Sequence, residues 1–239
     1  MMKPTFSALA AALLLSGCGE EQVAESPTSA DSTILFDGSS LDAWDFPEGS
    51  WKIDSDGALT CNMEEITTKD GEKKLKSLGD IWAKGEYSDF ELSLSYKLSE
   101  GANSGIFYRS TKEDSVHQGF EVQLMDNVGF QKTHGVKEPR KRNGSFYDGI
   151  APTADPANPV GEWDTLTLKA VGPNIVCHIN GIETFNVDVN DWPEVGKNPD
   201  GTTNKFKIAI KDKPKRGFIG LQNHGQYVWF KDIKLKSLD

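Results

Sequence analysis

Hydrophobic and polar residues alternate with a period of two along much of the chain after residue 32. The clearest case is Phe90–Leu98, in which Phe, Leu, Leu, Tyr and Leu share one face while Glu, Ser, Ser and Lys share the other. Successive side chains of a strand point to opposite faces, so this alternation predicts a half-buried β-strand. Trp163–Lys169 and Lys205–Ile210 follow the same pattern and are predicted strands as well.

Two further strand pairs are predicted from the residues between them. Asn180-Gly181 separates the β-rich runs Ile175–Ile179 and Ile182–Val187. Asn-Gly favours positive φ at both turn positions, which is the signature of a two-residue β-hairpin. Phe218–Gln222 and Tyr227–Leu235 are predicted to form a last pair of strands, joined through residues 223–226.

No segment has the apolar periodicity of an amphipathic helix. Residues 62–79, 129–160 and 190–204 are predicted long loops, and Lys69–Ser77 is predicted to be a loop with a local turn. The pattern as a whole predicts an all-β fold, a sandwich of two antiparallel sheets. A closed barrel is the alternative, and the uneven spacing of the strands disfavours it.

The N-terminus carries a targeting signal rather than part of the fold. Lys3 precedes the apolar run Phe6–Leu15, and Leu15-Ser16-Gly17-Cys18 follows, which resembles a bacterial lipobox. We predict a lipoprotein signal peptide over residues 1–17, lipidation at Cys18, a flexible tether over 18–32 and a folded domain over 33–239. The protein would then be anchored by lipid to a membrane of the bacterial cell envelope. An ordinary signal peptide with a chance Cys is the alternative.

Composition narrows the functional classes. The chain has 239 residues, a formal net charge of -10 and 10% aromatic residues. An aromatic content of this size is typical of a folded domain, and the acidic balance disfavours nucleic acid as a partner. Cys61 and Cys177 are predicted to be buried free thiols, with a disulfide as the alternative. The CxxC and HExxH zinc spacings are both lacking.

Candidate site residues lie on two consecutive predicted strands. Phe120, Val122 and Leu124 are predicted to face inward, so Glu121 and Gln123 face outward. On the strand before, Ile106 and Tyr108 share one face while Phe107 and Arg109 share the other. Because consecutive strands are usually neighbours, we expect Arg109, Glu121 and Gln123 on one exposed face, a combination suited to binding hydroxyl groups. A surface ion pair is the alternative.

A second group of candidates comes from the C-terminal strands and from loops. Ile219 and Leu221 are predicted to face inward, which leaves Gly220, Gln222 and His224 on the other side. His224 is a candidate acid, base or metal ligand, with a hairpin cap as the alternative. Asn103 and Asp126 are polar residues at strand ends, and Tyr147 is a loop aromatic suited to stacking on a sugar ring.

The sequence resembles the 3-keto-disaccharide hydrolase domain family, long called domain of unknown function 1080. The resemblance extends from about Thr33 to Leu238. The matching segments are Leu35–Trp44, Trp51–Leu59, Tyr87–Leu92, Ala102–Ile106 with Arg109, Glu121–Asp126, Gly161–Trp163, Asn180–Gly181 and Gly220–Gly225. It implies a concanavalin A-like or laminin G-like (LamG-like) jelly-roll sandwich, and an enzyme that cleaves glycosides already oxidised to a ketone at sugar carbon 3.

The implied chemistry assigns provisional roles. A C3 ketone acidifies the proton on C2, so a base can start elimination of the C1 substituent, and water then completes net hydrolysis. Glu121 and His224 would transfer protons or ligate a metal, and Arg109 or a divalent cation would polarise the ketone. Asn103, Gln123 and Gln222 would orient hydroxyls, with Asp126 and Tyr147 also binding substrate.

Two non-enzymatic functions remain as alternatives. The first is a non-catalytic carbohydrate-binding envelope lipoprotein, because the same kind of sandwich serves lectins. The second, a scaffold or adhesion protein, would leave the Arg, Glu, Gln and His residues of the predicted face without a reason.

Overall fold

The computed structural model describes Met1, residues 32–135 and residues 137–239. Asp31–Asp239 form a compact unit. The predicted signal peptide, the lipidation at Cys18 and nearly all of the tether lie outside the described residues and stay predictions. Among the described residues, no helix has the length and apolar character needed to cross a membrane.

Strands make up most of the regular structure in the described residues. In chain order they are β1 (Thr33–Phe36), β2 (Trp44–Asp45), β3 (Trp51–Ile53), β4 (Leu59–Cys61), β5 (Met63–Thr67), β6 (Lys73–Ser77), β7 (Ile81–Ala83), β8 (Phe90–Leu98), β9 (Asn103–Ser110), β10 (Phe120–Met125), β11 (Asp164–Val171), β12 (Asn174–Ile179), β13 (Ile182–Asp188), β14 (Phe218–Leu221) and β15 (Val228–Ser237). Helical segments are α1 (Asn127–His134) and short 3-10 turns at Pro139–Lys141, Val189–Asp191 and Ile210–Asp212.

Two antiparallel sheets form the sandwich. The larger sheet has the order β13-β12-β11-β8-β15-β4-β3, with β1 also paired to β15. The smaller sheet has the order β10-β9-β14-β7-β2, and β5 and β6 form a separate hairpin. The predicted all-β, two-sheet antiparallel class is therefore confirmed.

The core lies between the two sheets, where the inward positions of the alternating strands meet. On β8, Phe90, Leu92 and Tyr96 are fully buried. Phe90 packs edge-on against Tyr108 of β9 with ring centroids 6.2 Å apart, and Tyr108 stacks on Phe120 of β10 at 5.4 Å. These contacts place Tyr108 and Phe120 inward and leave their sequence neighbours Phe107 and Glu121 on the outer face of the smaller sheet.

The predicted Asn-Gly hairpin is confirmed. It joins β12 to β13, with φ of 50° at Asn180 and 76° at Gly181. Both values are positive, as a tight turn with the twist of its strands requires. Cys61 and Cys177 are both free and buried, as predicted.

Two strand predictions are wrong. Lys205–Ile210 is not a strand, because Phe206, Ala209 and Ile210 are the buried residues, and this spacing does not keep a period of two. Phe218–Gln222 and Tyr227–Leu235 do not pair with each other. β14 lies in the smaller sheet and β15 in the larger one, so residues 222–227 cross between the sheets.

Two predicted loops contain regular structure. Within 62–79, β5 and β6 pair as a hairpin whose side chains are mostly exposed. Because neither face of the hairpin is buried, its sequence does not alternate between hydrophobic and polar residues. The predicted loop 129–160 contains most of α1, which buries only Gly129 and Phe130, too few to make an amphipathic stripe. The ends of α1 are set by Asp126 as the N-cap and by Gly135, whose φ is 69°.

Candidate functional site

Cross-strand register aligns side chains in rows on the outer face of the smaller sheet. In the first row, Glu121 of β10 lies opposite Phe107 of β9, Phe107 opposite Gly220 of β14, and Gly220 opposite Trp82 of β7. Residues that pair directly point to the same face of a sheet. The sequence prediction that Glu121 and Gly220 share the outer face is therefore confirmed, and Trp82 joins them.

A second row runs beside the first. Gln123 of β10 lies opposite Gly105 of β9, and the Gln222 amide donates to the Gly105 carbonyl at 2.9 Å. Because Leu221 pairs with Ile81, the next residues along, Gln222 and Asp80, are neighbours on the outer face. The predicted placement of Gln123 and Gln222 on one face is confirmed. The expectation that this face is exposed is wrong at Glu121 and Gln123, which are 5% and 1% exposed because loop residues such as Tyr147 cover them.

The loop that carries Tyr147 extends the first row. Tyr147 N donates to Glu121 O at 3.1 Å, and Phe146 bridges to Val122 in antiparallel fashion. Phe146 is buried and holds this segment against the edge of β10. Tyr147 therefore lies next to Glu121 on the same face, which the sequence alone could not place.

An apolar wall borders the Glu121 carboxyl. Trp82 stacks on Phe107 with ring centroids 5.6 Å apart. The Trp82 ring lies so close above Gly220 that a Cβ there would stand 2.5 Å from the ring, so only glycine fits beneath the indole. This wall removes water from one side of Glu121.

The Glu121 carboxyl is held in an unusual environment for a charged group. The residue is 5% exposed, and its side chain leans over Gly105, where a Cβ would collide with Oε1. Burial raises the pKa of the Glu121 carboxyl to about 8, against the opposing effect of the Lys205 charge, and the negative charge of Asp80 adds to the rise. A carboxyl with a pKa near neutrality can both accept and donate a proton under physiological conditions.

Lys205 supplies a positive charge beside Glu121. Its Nζ donates to the Tyr147 hydroxyl at 3.1 Å and lies 4.3 Å from the centroid of that ring. Its backbone amide donates to Asp148 Oδ2 at 2.7 Å, which ties the two loops together. Burial lowers the pKa of Lys205, while the charges of Glu121 and Asp148 act in the opposite direction.

Amide side chains line the remainder of the second row. Gln123 Nε2 donates to Asn103 Oδ1 at 2.6 Å and to the Ser104 carbonyl at 2.9 Å, so both side chains are held in fixed orientations. Gln222 Oε1 is buried and accepts no hydrogen bond within the described part of the chain. An unpaired buried acceptor can receive a hydroxyl from a bound ligand.

His224 lies at the rim rather than beside Glu121. It follows the end of β14, and its ring meets Phe130 of α1 edge-on at 6.4 Å. Burial lowers the pKa of the imidazole, and a side-chain hydrogen bond with Gln226 opposes the shift. Gln226 Oε1 also accepts a hydrogen bond from the backbone N–H of Asn103 at 3.3 Å. Gln226 therefore connects His224 to Asn103.

The expectation that Arg109 shares the face of Glu121 is wrong. Arg109 is 1% exposed, and its guanidinium donates to the carbonyls of Ser88 at 2.6 Å and Gly172 at 2.7 Å and to Asp89 at 3.0 Å. Its φ is 46°, in the left-handed region, so the side chain departs from strand alternation. Arg109 therefore ties the end of β9 to the larger sheet.

Asp126 is placed in a structural role rather than a substrate-binding one. Oδ1 accepts from the amides of Val128 at 3.1 Å and Gly129 at 3.0 Å, which caps α1. Oδ2 accepts from the amide of Gly101 at 2.7 Å. Both carboxylate oxygens are thus occupied by backbone groups, and neither is left to bind a substrate.

Sequence reasoning misses Lys205 and Asp80. The alternation pattern places Lys205 in a strand, and nothing in its neighbourhood indicates contact with a tyrosine 58 positions earlier. Asp80 precedes a three-residue strand too short to show alternation. Among the described residues, no group of three or more His, Cys, Asp or Glu side chains converges to hold a metal ion. The divalent ion stays a prediction.

The fold defines a class of protein, a concanavalin A-like β-sandwich with a polar site on one sheet face. A protein of Parabacteroides distasonis, provisionally named a glycosyl hydrolase, shares 28% identity and superposes with a TM-score of 0.73 over 87% of this chain and 99% of its own. A second structure from that organism, provisionally named in the same way, has 21% identity and a TM-score of 0.68, covering 87% and 94% of the two chains.

Sequence comparison identifies the family. The model described as the 3-keto-alpha-glucoside-1,2-lyase-like domain matches residues 31–236. A protein of Bacteroides thetaiotaomicron named 3-keto-disaccharide hydrolase is 27% identical, with 89% of this chain and 81% of that protein covered. The chain belongs to the 3-keto-alpha-glucoside-1,2-lyase-like domain family, in agreement with the resemblance stated from the sequence.

Proposed function

We propose that this protein cleaves 3-keto-glycosides, including 3-keto-disaccharides, with Glu121 as the base that removes the proton on C2. The observation that carries the proposal is the buried Glu121 carboxyl above Gly105, whose pKa is raised to about 8 beside Lys205 and Tyr147. The names of the family and of the Bacteroides thetaiotaomicron relative support the substrate class.

Lys205 takes the role that the sequence suggested for Arg109. Removal of the C2 proton moves an electron pair into the C2–C3 bond and places negative charge on the C3 oxygen. An ammonium group aimed at that oxygen stabilises the developing negative charge. Tyr147 holds Lys205 Nζ at 3.1 Å and so fixes the direction of the charge.

The remaining polar groups suit recognition of sugar hydroxyls. Asn103 and Gln123 are fixed by their mutual hydrogen bond, and Gln222 presents an unpaired acceptor. Preorganised amides favour one orientation of the ring, which keeps C2 within reach of Glu121. His224, at the rim, would contact the part of the substrate that extends from the groove.

The test is turnover of a 3-keto-glucoside by the purified domain and by paired variants. Glu121→Gln and Lys205→Met should each lower kcat by about 10²-fold or more, in line with typical losses of an acid–base or oxyanion-stabilising group. The matched controls are Glu91→Gln, an exposed carboxylate on β8, and Lys207→Met, an exposed lysine two positions from Lys205. Both controls should keep wild-type rates.

The same assay separates the alternatives. Binding of the sugar with no product would support a non-catalytic carbohydrate-binding protein and overturn the proposal. A product that retains the C1–C2 double bond would show that the reaction stops at elimination. Loss of activity with a chelator, restored by a divalent cation, would assign the polarising role to a metal ion rather than to Lys205.

We also infer lipid attachment at Cys18 and an envelope location from the Leu15–Cys18 motif. Labelling of the full chain with a fatty acid during growth should mark the wild type, whereas Cys18→Ser should remain unlabelled and be released from the membrane fraction. Equal labelling of both would contradict the inference.

A further inference from the structure

A second carboxyl group lies on the same outer face as Glu121. Asp80 immediately precedes β7 and lies beside Gln222 on the outer face, as the pairing of Leu221 with Ile81 requires. Glu121 leans over Gly105, which is the partner of Gln222 on the next strand. The second row therefore runs from the Glu121 carboxyl, above Gly105, through Gln222 to Asp80.

Strand order sets the distance between the backbones beneath these two carboxyls. Gly105 and Asp80 are two strand spacings apart, about 10 Å between backbones. The Glu121 carboxyl lies over Gly105, and Asp80 Oδ1 accepts from the backbone of Asn223, which follows Gln222, so the Asp80 carboxyl leans toward that strand. Carboxyls that flank a sugar in glycosidases are about 5–9.5 Å apart. The space above Gly105 is taken by the Glu121 carboxyl itself, so the gap between the two carboxyls lies over Gln222.

Asp80 is held in place while one oxygen stays available. Asn223 N donates to Asp80 Oδ1 at 2.8 Å. No hydrogen bond reaches Oδ2 from the described residues, so this oxygen is free to meet a ligand. Burial raises the pKa of Asp80, and the Asp80 charge in turn contributes to the raised pKa of Glu121, so the two carboxyls interact.

Three groups are thus arranged in order across the face. Lys205 with Tyr147 lies at the β10 edge, Glu121 comes next, and Asp80 lies on the far side of Gln222. The reacting atoms of a 3-keto-glycoside follow the same order, with the C3 oxygen first, then C2 with its proton, then C1 with the departing oxygen.

We propose that Asp80 is the acid that protonates the departing C1 oxygen, opposite Glu121; this assignment rests on the proposed function. Glu121 accepts the C2 proton, and the electron pair of that C–H bond forms the enolate. The enolate electrons then form the C1–C2 double bond as the bond from C1 to the departing oxygen breaks. That oxygen takes the proton of Asp80.

Hydration reverses the two roles. The Asp80 carboxylate accepts a proton from water as the water oxygen bonds to C1. Glu121 returns its proton to C2, which regenerates the ketone at C3. Both carboxyls end in their starting protonation states, and the net reaction consumes one water.

The experiment compares departing groups of different acidity. The full-length chain and Asp80→Asn are assayed with two substrates. The first is a 4-nitrophenyl 3-keto-glucoside, whose phenolate leaves without being protonated. The second is a 3-keto-disaccharide, whose departing sugar oxygen must be protonated as it leaves. We expect Asp80→Asn to lose about 10²–10⁴-fold on the disaccharide, the usual contribution of a general acid, and much less on the nitrophenyl compound. Asp45→Asn, an exposed aspartate of β2, is the matched control and should behave as wild type.

Exchange of the C2 proton with D₂O separates this inference from the proposed function. Asp80→Asn should retain exchange, because Glu121 still removes the proton, whereas Glu121→Gln should lose it. Equal losses on both substrates, no loss on either, or loss of exchange in Asp80→Asn would overturn the role of Asp80 and leave that of Glu121 intact. Wild-type protein that neither exchanges nor cleaves would overturn the proposed function itself.

Discussion

The fit of Glu121 over Gly105 can be tested by adding one methyl group. A Cβ at residue 105 would lie 2.9 Å from Glu121 Cδ and 3.0 Å from Cγ, besides colliding with Oε1. Carbon atoms in favourable contact are about 3.5–4.0 Å apart, so Gly105→Ala should move the carboxyl by about 1 Å. The φ of Gly105 is not positive, so alanine should cause no backbone strain.

The displacement should reduce both the rate of catalysis and the stability of the fold. A misplacement of about 1 Å costs about 10²-fold in rate, which corresponds to about 2.7 kcal/mol of activation free energy. Overpacking of this kind costs about 1–3 kcal/mol of stability. The assays are kcat on a 3-keto-glucoside and the free energy of unfolding in urea.

A double-mutant cycle with Glu121→Ala identifies the cause. With the Glu121 side chain removed, the methyl group added by Gly105→Ala has no carboxyl to collide with. Gly105→Ala should then stabilise the protein by roughly 0.5–1 kcal/mol, since alanine is favoured over glycine inside regular structure. If Gly105→Ala cost the same stability in both backgrounds, the contact with Glu121 would not be the reason for glycine at this position.

Three further outcomes follow from the described contacts. Burial raises the pKa of Glu121 in the folded protein to about 8. The protonated carboxyl therefore contributes fully to stability below the pKa of the unfolded chain, and this contribution is lost as pH rises through about 8. Glu121→Gln should therefore raise Tm relative to wild type at pH 9 and do so much less at pH 6; equal shifts would refute this. Arg109→Met should destabilise the fold by about 3–5 kcal/mol in urea, since it leaves the Gly172 and Ser88 carbonyls without their donor. The fraction that stays folded should keep the wild-type KM, and a raised KM would restore Arg109 to the site. Asp126→Ala should cost about 1–2 kcal/mol through loss of the cap of α1, with kcat unchanged.

The faces of the site strands could be predicted from the sequence because strand geometry fixes them locally. Phe120, Val122 and Leu124 are apolar and alternate with Glu121 and Gln123, so the two polar side chains were predicted on the opposite face, where the register places them. The same reasoning placed Gln222 correctly, and the family resemblance was confirmed by the comparisons.

The reasoning failed wherever the backbone left regular alternation. Arg109 has a positive φ at the point where the pairing of β9 with β14 shifts register. None of the residues at this point is of a type that indicates such a shift in the sequence. Tyr147 and Lys205 lie on loops, whose positions depend on contacts such as the Asp148 carboxylate with the Lys205 amide. Such contacts join residues far apart in the chain, and periodicity carries no information about them.

The sequence by itself determined the β class, the inward and outward sides of the long strands, the Asn-Gly hairpin and the family. These properties depend on neighbours within a few residues, where the two-residue repeat of a strand leaves little freedom. Only the tertiary structure decided that β14 inserts between β9 and β7, and thereby that Asp80 and Glu121 lie on the same outer face, with Lys205 close to Glu121. Strand order and loop paths result from burial of the whole core, so the electrostatic environment of Glu121 could be seen only once the chain was folded.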